Sequence, residues 1–84
     1  MGTTVMPMST DEPLTGPLAR VVTDALRDAG RSQRDIASTT GIPIATLSRR
    51  LTGRSPFITT ELSLIAAELH TNVSDFYLAA EVAA

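Results

Sequence analysis

The segment from Ser32 to Gly53, SQRDIASTTGIPIATLSRRLTG, constrains the fold more than any other part of the chain. It carries two helical patterns of only about two turns each, joined at Gly41 and stopped at Gly53. Helices that short are marginal alone, because nucleation fixes several dihedrals for each hydrogen bond gained. They persist only when longer neighbours cover their apolar sides. The chain must therefore be a cluster of helices built around this tightly joined pair.

The flanking sequence supplies those neighbours. Leu18, Val21, Val22, Ala25, Leu26 and Ala29 recur at the three-and-four spacing of one helix face, with Pro17 at its start and Gly30 at its end. Ser32 is placed to cap the second helix, and Asp35 three residues on resembles half of a capping box. That helix turns Ile36 and Ala37 inward and stops near Thr40, where Gly41 gives the backbone freedom for a sharp turn. The third helix is expected from about Pro43 to Thr52, followed by a loop, Arg54 to Ile58, broken at Pro56. Thr59 or Thr60 is expected to cap a fourth helix with a Leu62, Ile65, Ala66 and Leu69 stripe. Ser74 is expected to cap a short fifth helix carrying Phe76, Tyr77 and Ala80. Apolar residues make up 43% of the chain but aromatics only 4%, so its core must be aliphatic, which suits packed helices better than a sheet. The expectation is an all-α, compact five-helix domain over residues 14–84. Residues 1–13, with two prolines and no periodicity, are expected to form a flexible N-terminal tail. That tail has no basic residue and carries Asp11 and Glu12, so it is no candidate for gripping a phosphate backbone.

Charge is distributed unevenly. Five of the seven arginines (Arg31, Arg34, Arg49, Arg50 and Arg54) fall in one window whose only acid is Asp35, giving five less one, a formal +4. The rest of the chain holds two arginines against eight carboxylates, formally −6, and the sum is the −2 of the whole. A concentrated basic region on an acidic protein is the electrostatic footprint of a nucleic-acid reader, which the global balance conceals. Arg20 and Arg27 are expected to pair with Asp24 and other acids of the first helix instead.

Stepping about 100° per residue from Ile44 separates the third helix into two sides. Leu47 and Leu51 fall together as core anchors, which leaves Ile44, Ala45, Ser48 and Arg49 projecting outward. Small apolar groups can meet thymine methyls, and an arginine can fork onto the two major-groove acceptors of guanine. The plainer alternative is that Ile44 packs on the first helix and Arg49 is merely solvated.

The run Gln33-x3-Ala37-x3-Gly41-x5-Leu47 resembles the helix-turn-helix of the lambda repressor and Cro family, the Xre type. Leu62 to Leu69, then Asn72-Val73-Ser74, is similar to that family's last two helices, and the resemblance covers about Leu18 to Ala80. It implies a five-helix lambda-repressor-like DNA-binding domain. By position, it implies base reading by Ile44, Ala45, Ser48 and Arg49. The residues it places on the DNA backbone are Ser32, Gln33, Arg34, Pro43, Thr46, Arg50, Arg54 and Ser55. Two positions depart from the pattern. Pro43 has neither N–H nor hydroxyl to offer a phosphate, and Arg50 stands where the family keeps an aliphatic. Near 240° on the same wheel, Arg50 is expected to pack its stem while its head reaches solvent or phosphate.

Other chemistries find little support. There is no cysteine, and His70 is the single histidine, expected as a C-terminal cap, so no zinc site or nucleophilic triad can be assembled. No phosphate-cradling glycine loop occurs and no apolar run approaches a membrane span. No enzyme activity, cofactor or small-molecule ligand is expected. The expected partner is a double-stranded DNA operator, in the cytoplasm, with a homodimer through the C-terminal helix as an option that Val73, Phe76, Tyr77, Leu78 and Val82 leave open. With no sensor domain expected, regulation would be by operator occupancy, as a repressor. The all-arginine basic set is read as the codon bias of a GC-rich genome, which with the resemblance suggests an actinobacterial phage or prophage regulator. The alternative is an antitoxin of helix-turn-helix type that also clamps a protein partner outside Ser32 to Arg54.

Overall fold

The computed structural model describes residues 12–83, and among them every regular element is helical. In chain order these are α1 (Glu12–Asp28), α2 (Gln33–Thr40), α3 (Ile44–Leu51), α4 (Thr59–Glu68) and α5 (Val73–Ala83). The all-α, five-helix expectation holds. α1 begins five residues ahead of Pro17, which is inside the helix rather than at its start. Of the expected tail, residues 1–11 lie outside the described residues.

One aliphatic core joins all five helices. Leu18, Val22 and Leu26 of α1 meet Ile36 of α2, Leu47 and Leu51 of α3, Leu62, Ile65 and Ala66 of α4, and Phe76 and Ala80 of α5. The long α1 packs most extensively on α5 and also on α3, while α2 bridges α3 and α4. The short pair thus receives the cover it requires. Two core residues come from connections rather than helices: Ile42, from the turn between α2 and α3, and Phe57, from the loop before α4. Ala29, expected on the buried face of α1, is exposed because the helix ends one residue before it.

The terminations explain the boundaries. Ser32 caps α2 as expected, its hydroxyl accepting from the Asp35 N–H at 3.1 Å. Gly41 sits at φ 83°, a left-handed conformation that a side chain disfavours, and its N–H bonds the Ala37 carbonyl. α4 is capped differently from the expectation. Ile58 is its cap residue and has no side-chain oxygen, so Thr59 is already helical. The Glu61 carboxylate instead reaches back to accept from the Ile58 N–H at 3.1 Å. Ser74 likewise lies inside α5, which starts at Val73. His70 does terminate α4, but through its backbone, at φ 58° with its N–H on the Ala67 carbonyl. Among the described residues no helix is long and apolar enough to cross a membrane, and no group of acids, histidines or cysteines could hold a metal.

Candidate nucleic-acid interface

The candidate interface is centred on α3. Leu47 is wholly buried and Leu51 nearly so, and these two leucines fix how the helix is rotated. Their burial forces the opposite flank outward. Ile44 is 46% exposed, Ala45 and Arg49 are exposed, and Ser48 and Thr46 are half-buried. Ile44 does not join the core cluster, while Arg49 is exposed as the plainer alternative also has it.

The start of α3 has no side-chain cap, since Pro43 has nothing to offer its first N–H groups. Its end is tightly closed. Gly53 stands at φ 79° with its N–H on the Arg50 carbonyl, and the Arg54 N–H bonds the Arg49 carbonyl at 3.0 Å. This paired closure of a helix end fixes the direction in which the chain leaves. Gly53 also lies against Gly16 and Ala19 of α1, and the Thr23 hydroxyl donates to the Leu51 carbonyl at 3.3 Å. The end of α3 is therefore seated on α1, and Arg54 emerges beside it.

The five arginines of the basic window divide into two groups. Arg34, Arg49 and Arg54 are exposed and make no ion pair among the described residues. Arg31 and Arg50 are engaged. Arg31 pairs with Asp35 and, at 2.9 Å, with Glu68, tying the start of α2 to the end of α4. Arg50 is held bidentately, Nε to Glu61 Oε1 at 2.7 Å and Nη2 to Oε2 at 3.1 Å, while its Nη1 donates to Ser55 Oγ at 2.8 Å. The expectation that the head of Arg50 reaches solvent or phosphate is thus corrected: three of its five N–H donors are directed instead at Glu61 and Ser55. Spacing could not reveal this, because Glu61 is eleven residues away and itself caps α4. Arg27 pairs with Asp24 at 3.2 Å as expected, whereas Arg20 makes no ion pair among the described residues. Of the remaining expected contact residues, Ser32 and Gln33 are exposed at the start of α2, Pro43 is exposed before α3, and Ser55 is half-buried.

These pairs carry a pH signature. Burial pushes the Glu61 carboxyl up, but the hydrogen bond from Arg50, the Ile58 N–H and the Arg50 charge together hold it below its ordinary value. The hydrogen bond from Arg31 likewise lowers Glu68, against a smaller effect of desolvation. A carboxyl with a depressed folded-state value stabilises the fold fully above its unfolded value, and that contribution is lost as pH falls through the folded value. Thermal melting followed by circular dichroism should therefore be flat near neutrality and fall below about pH 4. Glu61→Gln should reduce that acid dependence, and an unchanged profile would show that the Arg50 pair does not contribute.

No protein-family model matches the sequence, and no curated protein matches it. Two crystal structures of the clp gene regulator ClgR from Corynebacterium glutamicum are similar in fold, with TM-scores of 0.78 and 0.76 at 21% identity. Each superposition covers 83% of this chain, and 74% and 91% of the respective ClgR chains. The chain shares the all-α helix-turn-helix fold of ClgR.

Proposed function

We propose that this chain is a sequence-specific double-stranded DNA-binding transcription regulator that reads the major groove with α3. The observation that carries this reading is the flank of Ile44, Ala45, Ser48 and Arg49, turned outward by two buried leucines, with unpaired Arg54 just past the helix end and unpaired Arg34 exposed on α2. The helix presents apolar and forked-donor chemistry suited to base edges, and the arginines beside it suit phosphates. The regulator fold shared with ClgR supports the same reading. Ser32, Gln33, Thr46, Arg54 and Ser55 serve as backbone contacts in this arrangement, with Pro43 against the duplex through its ring alone. Repression by operator occupancy, in the manner of Cro-like phage regulators, follows from the resemblance at Gln33, Ala37, Gly41 and Leu47. Leu78 and Val82, exposed on α5, are the surface proposed for pairing two copies. Such a pair would set two reading helices about 34 Å apart on a palindromic site.

Selection of bound duplexes from a random pool, at fixed salt, tests the reading. A single enriched motif is expected, and a palindrome if two copies bind together. Recovery of no motif at any salt would overturn it. Arg49→Ala should weaken binding to the selected duplex by about 1–3 kcal/mol and relax preference at one base pair. Arg54→Ala should weaken binding to selected and random duplexes alike and lower the salt slope by about one. Fluorescence anisotropy across a salt series measures both.

A further inference from the structure

We propose that Arg50 is a positioning residue for DNA binding, which acts by locking the loop that carries Arg54 and Ser55 rather than by touching DNA itself. The inference rests on the DNA-binding reading above and deepens it at the same site.

One side chain joins three elements. From the last turn of α3, Arg50 grips both oxygens of Glu61 in α4 and donates its remaining arm to Ser55 in the intervening loop. Glu61 is fixed in turn by the Ile58 N–H, so the anchor at the far side is rigid. Both partners are largely removed from solvent, with side chains 18% and 10% exposed. The loop is therefore held twice. Its backbone closes onto α3 through the Gly53 and Arg54 N–H groups, and its Ser55 side chain closes onto Arg50. Arg54 lies between these two fastenings and is itself exposed and unpaired. A phosphate contact made by a preorganised arginine loses less side-chain and loop entropy on binding than one made from a mobile loop. In Ser55 the oxygen accepts from Arg50, which leaves the hydroxyl hydrogen to donate to a neighbouring phosphate. Charge-assisted acceptance from Arg50 polarises that hydroxyl and strengthens its donation.

The decisive comparison is Glu61→Gln in the full-length chain, because glutamine keeps an acceptor for Ile58 while releasing the charged grip on Arg50. If Arg50 positions the loop, Glu61→Gln should lose affinity for selected and random duplexes equally, by about tenfold, the equivalent of one charged contact. If Arg50 were instead a direct phosphate ligand, removing its carboxylate partner should leave binding unchanged or tighten it, and that result would overturn the proposal. A second measurement guards against simple unfolding. In the Arg50→Met/Glu61→Gln double variant, checked for native helicity and melting, Arg54→Ala should cost far less affinity than it costs in the parent. Equal costs in the two backgrounds would mean Arg54 does not depend on Arg50, and the proposal fails. Should the parent chain bind no duplex at all, the DNA-binding reading itself fails, and the positioning role falls with it.

Discussion

Leu47→Ala is expected to destabilise the fold by about 2–5 kcal/mol, the cost of a cavity where a fully buried leucine stood. A domain of this size has about 5–15 kcal/mol in total, so the loss removes a large share of it. The consequence for binding follows from geometry. Leu47 has no exposed surface and is one of two residues that set how α3 is rotated. With eight residues, α3 cannot hold itself as a helix once the anchor is gone. Urea denaturation should show a lowered midpoint with little change in slope, and DNA affinity should fall with the folded fraction. Ser48→Ala, on the outward flank, should change stability by no more than about 0.5 kcal/mol. If Leu47→Ala were as mild as Ser48→Ala, α3 would not be anchored through its leucines and the assignment of its outer face would collapse.

Most of the architecture was legible because it depends on local patterns. The three-and-four spacing of Leu18, Val22 and Leu26 marks the buried face of α1, and Leu47 with Leu51 marks that of α3, whatever the partner helices are. Ser32 and Gly41 announced the ends of α2 through chemistry confined to a few neighbouring residues. What escaped was the long-range pairing. The wheel angle of Arg50 predicts a packed stem but says nothing about a carboxylate eleven residues on that engages its head. Arg31 counts toward the basic window by sequence, yet Glu68, at the end of α4, pairs with it. Ile42 and Phe57 were missed as core residues because each sits in a connection, where no periodicity exists to flag it. The start of α4 misled for a related reason: two adjacent threonines look like caps, yet Glu61 supplies the capping oxygen from inside the helix. In α5 Phe76 and Ala80 are buried while Leu78 and Val82 are exposed, a division that apolar composition alone does not give.

The unpaired basic surface is narrower than the count of arginines in the window. With Arg31 and Arg50 neutralised by Asp35, Glu68 and Glu61, the basic character of the surface rests on Arg34, Arg49 and Arg54. Three unpaired cations around a two-turn helix suit a modest salt dependence, since each phosphate neutralised adds only about 0.9 to the slope. On the proposed DNA-binding reading, specificity then comes mostly from α3 itself.

The Arg50–Glu61 pair should show an asymmetry between breaking it and replacing it. Arg50→Met alone strands a largely buried carboxylate and should destabilise by about 3–5 kcal/mol, as unpaired buried charges do. The geometry makes that partner hard to rescue, because Glu61 is tied to the Ile58 N–H and cannot swing out to water without uncapping α4. Adding Glu61→Gln removes the stranded charge while keeping an acceptor for Ile58, so the double variant should recover most of the loss. The methionine stem fills much of the space left by the arginine and has no polar head to desolvate. Equilibrium denaturation of the parent, both single variants and the double variant closes the thermodynamic cycle. A double variant no more stable than Arg50→Met would mean that packing of the arginine stem, not the buried charge, dominates at this junction. The predicted recovery would mean that the pair adds little net stability over neutral side chains, which leaves the geometry it imposes on the loop after α3 as its separable contribution.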